Sequence, residues 1–149
     1  GKTTAFNLIS GIYKPTTGDI LFSGERVNKL PAFEIARRGI VRTFQNIRLF
    51  PNLSVMDNIL VSTHKACPYG LTSAFLASAR YHRIERERQE EALKLLKIFK
   101  LEDFRDHQAG ALPYGVQRKI EIVRALAGWP KLILLDEPAA GMNHSETDE

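Results

Sequence analysis

Four residues at one end of the chain, Gly1-Lys2-Thr3-Thr4, and two near the other, Asp136-Glu137, have the types and the setting needed to handle a phosphate chain and a divalent cation. A Gly-Lys-Thr run that opens a helix gathers an ammonium, a hydroxyl and helix-terminal amides around an anion. Lys2 would reach the terminal phosphates, and Thr3 would offer its hydroxyl to Mg2+. Leu132-Ile-Leu-Leu135 reads as a buried strand that delivers Asp136 at its C-terminal end, where a hard oxygen ligand suits Mg2+. Glu137 beside it could polarise an attacking water as general base. Taken singly, each feature has a plainer reading: Gly-Lys-Thr is a short match, Asp136 could cap the next turn, and Glu137 could face solvent. Both ends in one chain favour the phosphate chemistry.

The segments between must bring these ends together. Lys2 to Ser10 reads as a helix stopped by Gly11, and Asp19-Ile-Leu-Phe22 and Glu25-Arg-Val27 read as a hairpin around Ser23-Gly24. Pro31 opens a short helix that ends before Gly39, and Gly39 to Phe44 is a strand ending at Gln45. From residue 51 the pattern turns helical. Ser54 with Asp57 three residues on resembles a capping box for a helix through Ile59 and Leu60. Residues 65 to 79 are irregular. Tyr81 to Lys100 carries Ala92, Leu95, Leu96 and Phe99 at helical spacing, with the charged run Arg80 to Glu91 as a solvated face. Residues 116 to 127 present Ile120, Val123, Leu126 and Ala127 on one face, and Gly128 ends that helix. The unbroken apolar run Lys131 to Leu135 suits a buried parallel strand.

Composition narrows the class. The chain has 149 residues, 44% hydrophobic and 26% charged, enough for a packed core and unlike a disordered chain. No apolar run reaches the roughly 20 residues of a membrane-spanning helix. One cysteine, Cys67, excludes an internal disulfide or a cysteine metal cluster and fits a reducing compartment. The net charge of +4 permits anionic partners without requiring them. The start at Gly1 without methionine and the polar close, His144 to Glu149, suggest a chain truncated at both ends.

Three further segments fall in order between the two ends. Gln45, in Thr43-Phe-Gln-Asn46, lies 43 positions after Lys2; Leu112-Pro-Tyr-Gly-Val-Gln117 follows, with Asp136 21 positions after Gly115; Ala139-Ala-Gly-Met-Asn143 comes last. Alone, Gln45 reads as a surface polar residue and Pro113 to Gly115 as a turn opening a helix. In this order the chain resembles the nucleotide-binding subunit of the ATP-binding cassette family, whose glutamine loop, Leu-Ser-Gly-Gly-Gln signature and D-loop these segments match. Tyr114, Pro138-Ala-Ala-Gly-Met-Asn143 and Arg42-Thr-Phe-Gln-Asn-Ile-Arg-Leu-Phe50 are similar to the branched-chain amino-acid importer ATPases of the LivG type.

The resemblance implies an α/β fold: a P-loop, RecA-like core with a mainly parallel sheet, plus a helical subdomain. It divides the chain into a partial ATP-binding core at 1–50, a helical subdomain ending in the signature at 51–127, and a core strand with the D-loop at 128–149. It implies ATP and Mg2+, with Gly1, Lys2, Thr3 and Thr4 binding phosphates, and Thr3, Gln45 and Asp136 serving the metal. Glu137 would act as base, with Gln45 sensing the γ phosphate. Pro113, Tyr114, Gly115 and Val116 would meet the ATP of a second ATPase subunit in a head-to-tail homo- or heterodimer. Further implied partners are transmembrane permease subunits and, through them, a periplasmic solute-binding protein, at the cytoplasmic face of the inner membrane. No nucleic acid is expected: DNA-repair cassettes insert long coiled coils between glutamine loop and signature, whereas Gln45 and Leu112 are 67 apart without sustained heptads. The alternative from another class is a nucleic-acid or ribosome-associated cassette ATPase without membrane subunits, of which the ribosome-acting type would need a second cassette. The chain departs from the family at Pro113, Val116 and Asn143, and none of His64, His82, His107 and His144 holds the place of the switch histidine.

Overall fold

The computed structural model describes residues 1–43, 46–63 and 79–136. Helix α1 spans Lys2–Ile9. A two-residue hairpin follows, β1 (Leu21–Phe22) against β2 (Glu25–Arg26), antiparallel. Its turn residues Ser23 and Gly24 both have positive φ, 51° and 81°, the backbone twist a tight hairpin needs. Helix α2 is Ala32–Arg37, and β3 is Ile40–Arg42. Late in the chain β4, Leu132–Leu134, pairs parallel with β3, Ile40 opposite Leu132 and Arg42 opposite Leu134. Thr43 extends the ladder by donating its amide to the Leu134 carbonyl at 3.0 Å. Gly39, at φ +100°, lets the chain enter β3 hard against Lys131, whose backbone nitrogen would lie 3.1 Å from an added Cβ.

Three helices form the other half: α3 (Val55–Ser62), α4 (Ala79–Ile98) and α5 (Tyr114–Ala127). Ser54 caps α3 through Asp57, its hydroxyl accepting from the Asp57 amide at 3.0 Å and donating to the Asp57 carboxylate at 2.6 Å. The remaining early amides of α3 are met from outside: Val55 donates to the His107 carbonyl and Met56 to that of Arg105. This strap, running on to a 3-10 turn at Ala109–Ala111, lies so close that a Cβ on Gly110 would sit 2.8 Å from Pro51.

Two apolar clusters divide the described residues. Val55, Ile59, Ala92, Leu96, Leu101, Leu112, Ile120, Val123 and Ala127 close the larger one between α3, α4 and α5. Val27, Ile35, Ile40 and Leu134 make the smaller one, with Phe6 and Ile9 of α1 packed against it. At about 1.5–3 kcal/mol for each large side chain removed from water, the helical cluster has the greater apolar driving force.

Most of the expected elements are present; the last strand pairs in parallel as expected but is buried only at Leu134, with Leu132 and Leu135 exposed. The expected strand 39–44 is described only as far as Thr43, and the irregular stretch lies outside the described residues apart from residue 79, which opens α4. Helix α5 starts at Tyr114, two residues earlier than its apolar spacing suggests, because Pro113 sits at the cap with φ −55° and ψ 151°. The charged run of α4 is not uniformly wet. Arg88 is folded inward, pairs with Glu85, and donates to the Thr63 hydroxyl and the Leu60 carbonyl, both at 2.8 Å. It thereby satisfies the carbonyl end of α3.

Candidate functional site

Helix α1 begins at the candidate phosphate residues. Gly1 is its N-cap and brings no side chain; its carbonyl accepts from the Ala5 amide at 3.2 Å. Lys2, Thr3 and Thr4 are exposed, and the first turn contains no acidic residue. The positive end of the helix is thus open to an anion, with one ammonium and two hydroxyls beside it.

Asp136 follows β4 and is buried. Arg42, at the end of β3, donates from Nη2 to Asp136 Oδ2 at 2.8 Å; the two side chains are 8% and 10% exposed. The same guanidinium donates from Nη1 to Asn7 Oδ1 of α1 at 2.6 Å and lies over the Phe6 ring, 5.6 Å from its centroid. A chain of side-chain contacts therefore joins the carboxylate expected at the metal to the helix that starts at Lys2. Sequence reading placed Asp136 with Mg2+ and gave Arg42 no part; the partners are 94 residues apart.

From the other side, Arg118 of α5 donates from Nη2 to the Asp136 carbonyl at 3.1 Å. Its Nη1 meets Glu121 Oε2 at 2.6 Å, and this pair is almost wholly buried, 1% and 3% exposed. Glu121 also accepts from the Arg48 amide at 3.4 Å, and Arg124 donates to the Arg48 carbonyl at 2.6 Å. Burial pulls the Arg124 guanidinium pKa below its ordinary value, with Glu121 opposing. Asn58, completely buried in α3, takes over the next residues. It accepts from the Phe50 amide at 2.8 Å and donates to the Phe50 and Ser54 carbonyls, both at 3.0 Å. The segment after Gln45 is therefore pinned to α3 and α5 by its backbone. Leu49 packs on the helical cluster, while Phe50 is 49% exposed.

A cavity of about 350 Å³ opens beside this segment, with Arg42, Thr43, Arg48, Ser62, Glu121 and Arg124 among its walls. The Thr43 hydroxyl is buried and has no hydrogen-bond partner among the described residues.

At the start of α5, Pro113 offers no side-chain cap, Tyr114 is 45% exposed, Gly115 is buried, and Val116 packs half-buried on the helical cluster. Gln117 turns back to donate to the Leu112 carbonyl at 2.8 Å. As in α1, the first turn carries no acid, so its amides form a second positive helix end.

Gln45, Glu137 and Ala139 to Asn143 lie outside the described residues, as do His64 and His144. His82 and His107 are described: each lies edge-on to a ring, Tyr81 and Phe104 respectively, and neither belongs to a metal-ligating group. Among the described residues no group of three or more His, Cys, Asp or Glu could hold a metal by itself. The groups on offer, the Thr3 hydroxyl and the Asp136 carboxylate, are hard oxygens and fit a Mg2+ ligated by hydroxyl, phosphate oxygens and waters, one of the waters held by the carboxylate. Sequence reading missed Asn7, Arg42, Asn58, Arg118 and Glu121. One signal was available for Arg42, a lone cation continuing the apolar Ile40-Val41 of a strand.

A family model described as ABC transporter matches residues 1–140. The high-affinity branched-chain amino acid transport ATP-binding protein BraF of Pseudomonas aeruginosa is 43% identical over 149 residues, 100% of this chain and 58% of the relative. The same figures hold for the corresponding protein LivG of Escherichia coli K12. The chain thus spans little more than half the length of these curated relatives. The crystal structure of a nucleotide-free ATP-binding cassette from an ABC transporter superposes with a TM-score of 0.76 at 33% identity, covering 99% of this chain and 57% of the other. The dimeric post-hydrolysis structure of the ATP-binding cassette MJ0796, bound to ADP and Pi, gives 0.76 at 29%, covering 99% and 60%. An α/β cassette fold, a helix opened by Gly-Lys-Thr and a buried Asp136 just after β4 agree with these matches: the chain belongs to the ABC transporter family, in its ATP-binding cassette.

Proposed function

We propose that the chain carries the nucleotide-handling part of an ABC ATPase subunit that hydrolyses ATP to power the import of branched-chain amino acids. The observation that carries this reading is the bridge Asp136–Arg42–Asn7, which sets a buried carboxylate beside the helix opened by Lys2 and Thr3. The names and 43% identity of the importer relatives support the solute class.

In this reading Lys2 and the first amides of α1 neutralise and orient the phosphates, with Gly1 leaving room for their approach and Thr4 adding a hydroxyl. Thr3 would hold Mg2+ directly, while Asp136 and Gln45 would hold its water shell. Mg2+, when bound, supplies positive charge to the phosphate oxygens as the terminal bond breaks. Glu137 takes the proton of the attacking water as base, and Gln45 reports on the γ phosphate. The Pro113 to Val116 turn, at the positive start of α5, meets the ATP of a second subunit, head to tail. That pairing, with like or unlike partner, is supported by the dimeric cassette that the chain resembles.

The permease would dock where the segment after Gln45 meets the helices. Exposed Phe50 and the backbone pinning by Asn58 and Arg124 support that placement. The subunit would then sit peripherally at the cytoplasmic face of the membrane, reaching a periplasmic solute-binding protein only through the permease; among the described residues no helix is long and apolar enough to cross. The two apolar clusters support a division into 1–50 with 128–149 as core and 51–127 as helical subdomain.

The test uses the full-length subunit reconstituted with permease. Glu137→Gln should retain ATP binding and lower hydrolysis by roughly 10²–10⁴-fold, whereas Lys2→Ala should lose binding itself. Equal ATP affinity in wild type and Lys2→Ala overturns the role of the α1 terminus, and stimulation by a solute other than branched-chain amino acids overturns the substrate class.

A further inference from the structure

Two arginines grip Asp136, and they do different things. Arg118 holds the backbone carbonyl, and its charge is answered by Glu121 at 2.6 Å. Arg42 instead takes a carboxylate oxygen, Oδ2, at 2.8 Å inside a shielded pocket, while its other terminal nitrogen donates to the neutral Asn7 amide oxygen of α1. A carboxylate already sharing an oxygen with a guanidinium is a weaker partner for a second cation. The two cations repel across a medium of low polarity, and one set of lone pairs is taken. Taking the guanidinium away reverses this, because a buried carboxylate without its partner has the strongest demand for a cation.

We propose that Arg42 is a positioning residue that sets the divalent-metal affinity of Asp136 by competing for Oδ2, and that Asn7 ties this competition to the helix bearing Lys2 and Thr3. The inference rests on the reading that Asp136 serves Mg2+ in the nucleotide site. Its consequence is that the metal, and the water through which Asp136 reaches it, are held less tightly than by an Asp136 carboxylate relieved of the guanidinium. Arg42 must give up part of its grip whenever Asp136 turns to the metal, and Asn7 keeps the displaced guanidinium at α1.

Mn2+ titrated into the full-length protein holding a non-hydrolysable ATP analogue, and read by electron paramagnetic resonance, tests this without turnover. Arg42→Gln should tighten apparent Mn2+ affinity about tenfold, the weight of one charge-assisted hydrogen bond. Arg42→Lys keeps a charge but cannot span Asp136 and Asn7 as the guanidinium does, so it should tighten binding less, about threefold. The gain from Arg42→Gln should vanish when Asp136→Asn is added. A merely structural role would weaken metal binding, so unchanged or weaker affinity in a variant that melts cooperatively overturns the proposal. Should Arg42→Gln fail to fold, Arg42→Lys decides by the same reading. If the wild type binds the analogue with no dependence on Mn2+, the nucleotide-site reading falls together with this inference; if only the variants fail to respond, the inference falls alone.

Discussion

Ile59, Leu96, Ile120 and Val123 are completely shielded where α3, α4 and α5 meet, whereas α1, which presents Lys2 and Thr3, buries no residue completely and rests on the smaller cluster through Phe6 and Ile9. The helical half is held by apolar packing, with its polar ends tied off by Ser54, Asn58 and Arg88. The candidate-site half, with one parallel strand pair and one hairpin among the described residues, has only the smaller apolar cluster and is stitched by ionic contacts as well. Asp136 accepts from Arg42 through its side chain and from Arg118 through its backbone. Apolar packing fixes a shape; charged contacts can be exchanged for a ligand's charges. The difference places rigidity in the helices and adjustability at the carboxylate.

The sharpest way to break this division is at its seam. Arg118→Met should cost about 3–5 kcal/mol, because it strands the buried Glu121 carboxylate. Joining it with Glu121→Leu should recover most of that loss, since a buried pair replaced by apolar residues of similar volume is near neutral. Chemical denaturation of the single and double variants measures both. A double variant as unstable as the single would mean that the pair anchors Asp136 by more than charge compensation.

Within the helical half, Leu96→Ala should cost about 2–5 kcal/mol, the range for a fully buried leucine. It should leave ATP affinity nearly unchanged in the fraction that remains folded. A parallel loss of affinity, measured by nucleotide titration below the melting temperature, would show that the halves are not independent.

A smaller effect belongs to the joint between the segment after Gln45 and α3. Asn58→Ala strips the Phe50 amide and carbonyl of their side-chain partner and should cost about 1–3 kcal/mol. Faster amide exchange at Leu49 to Leu53, with α4 unaffected, is the expected signature. Uniformly faster exchange would place Asn58 in the global core instead.

What could be read in the sequence follows the same division. Helices α4 and α5 were legible from apolar spacing, because Ala92, Leu96, Ile120 and Val123 enter the core as their period demands. The hairpin was legible from Ser23-Gly24 and the cap of α3 from Ser54 and Asp57, since these are local geometries. The buried polar residues were not. Arg88, Arg118 and Glu121 stand among charged or helical neighbours that read as wet, and Asn58 carries no local mark, because a partner distant in sequence is invisible to periodicity. Asp136 was legible as a residue at a strand end, but Arg42, its ionic partner, was not.

The smallest expected effect concerns Pro113, which lies on the helical half yet is proposed to serve a second subunit's ATP. A serine at this cap, the residue the family pattern has there, would add a hydroxyl able to donate to a phosphate or to accept from the first-turn amides of α5. Pro113 offers neither, and it makes no side-chain cap bond; its ring pre-sets the backbone, and its carbonyl still accepts from the Gln117 amide at 3.0 Å. Since Gly115 is buried and Val116 packs on the helical cluster, the amides of this turn are presented on a rigid support. One charge-assisted hydrogen bond is worth about 1.5–3 kcal/mol to the dimer, while removing the proline constraint on the unfolded chain costs the fold itself about 0.4–1 kcal/mol. In the full-length subunit carrying Glu137→Gln, Pro113→Ser should therefore tighten ATP-driven dimerisation by about tenfold, measured by sedimentation, while lowering the melting temperature slightly. An unchanged dimer would mean that the backbone amides of Tyr114, Gly115 and Val116 close the sandwich unaided, and that rigidity supplied by the helical half replaces the missing hydroxyl.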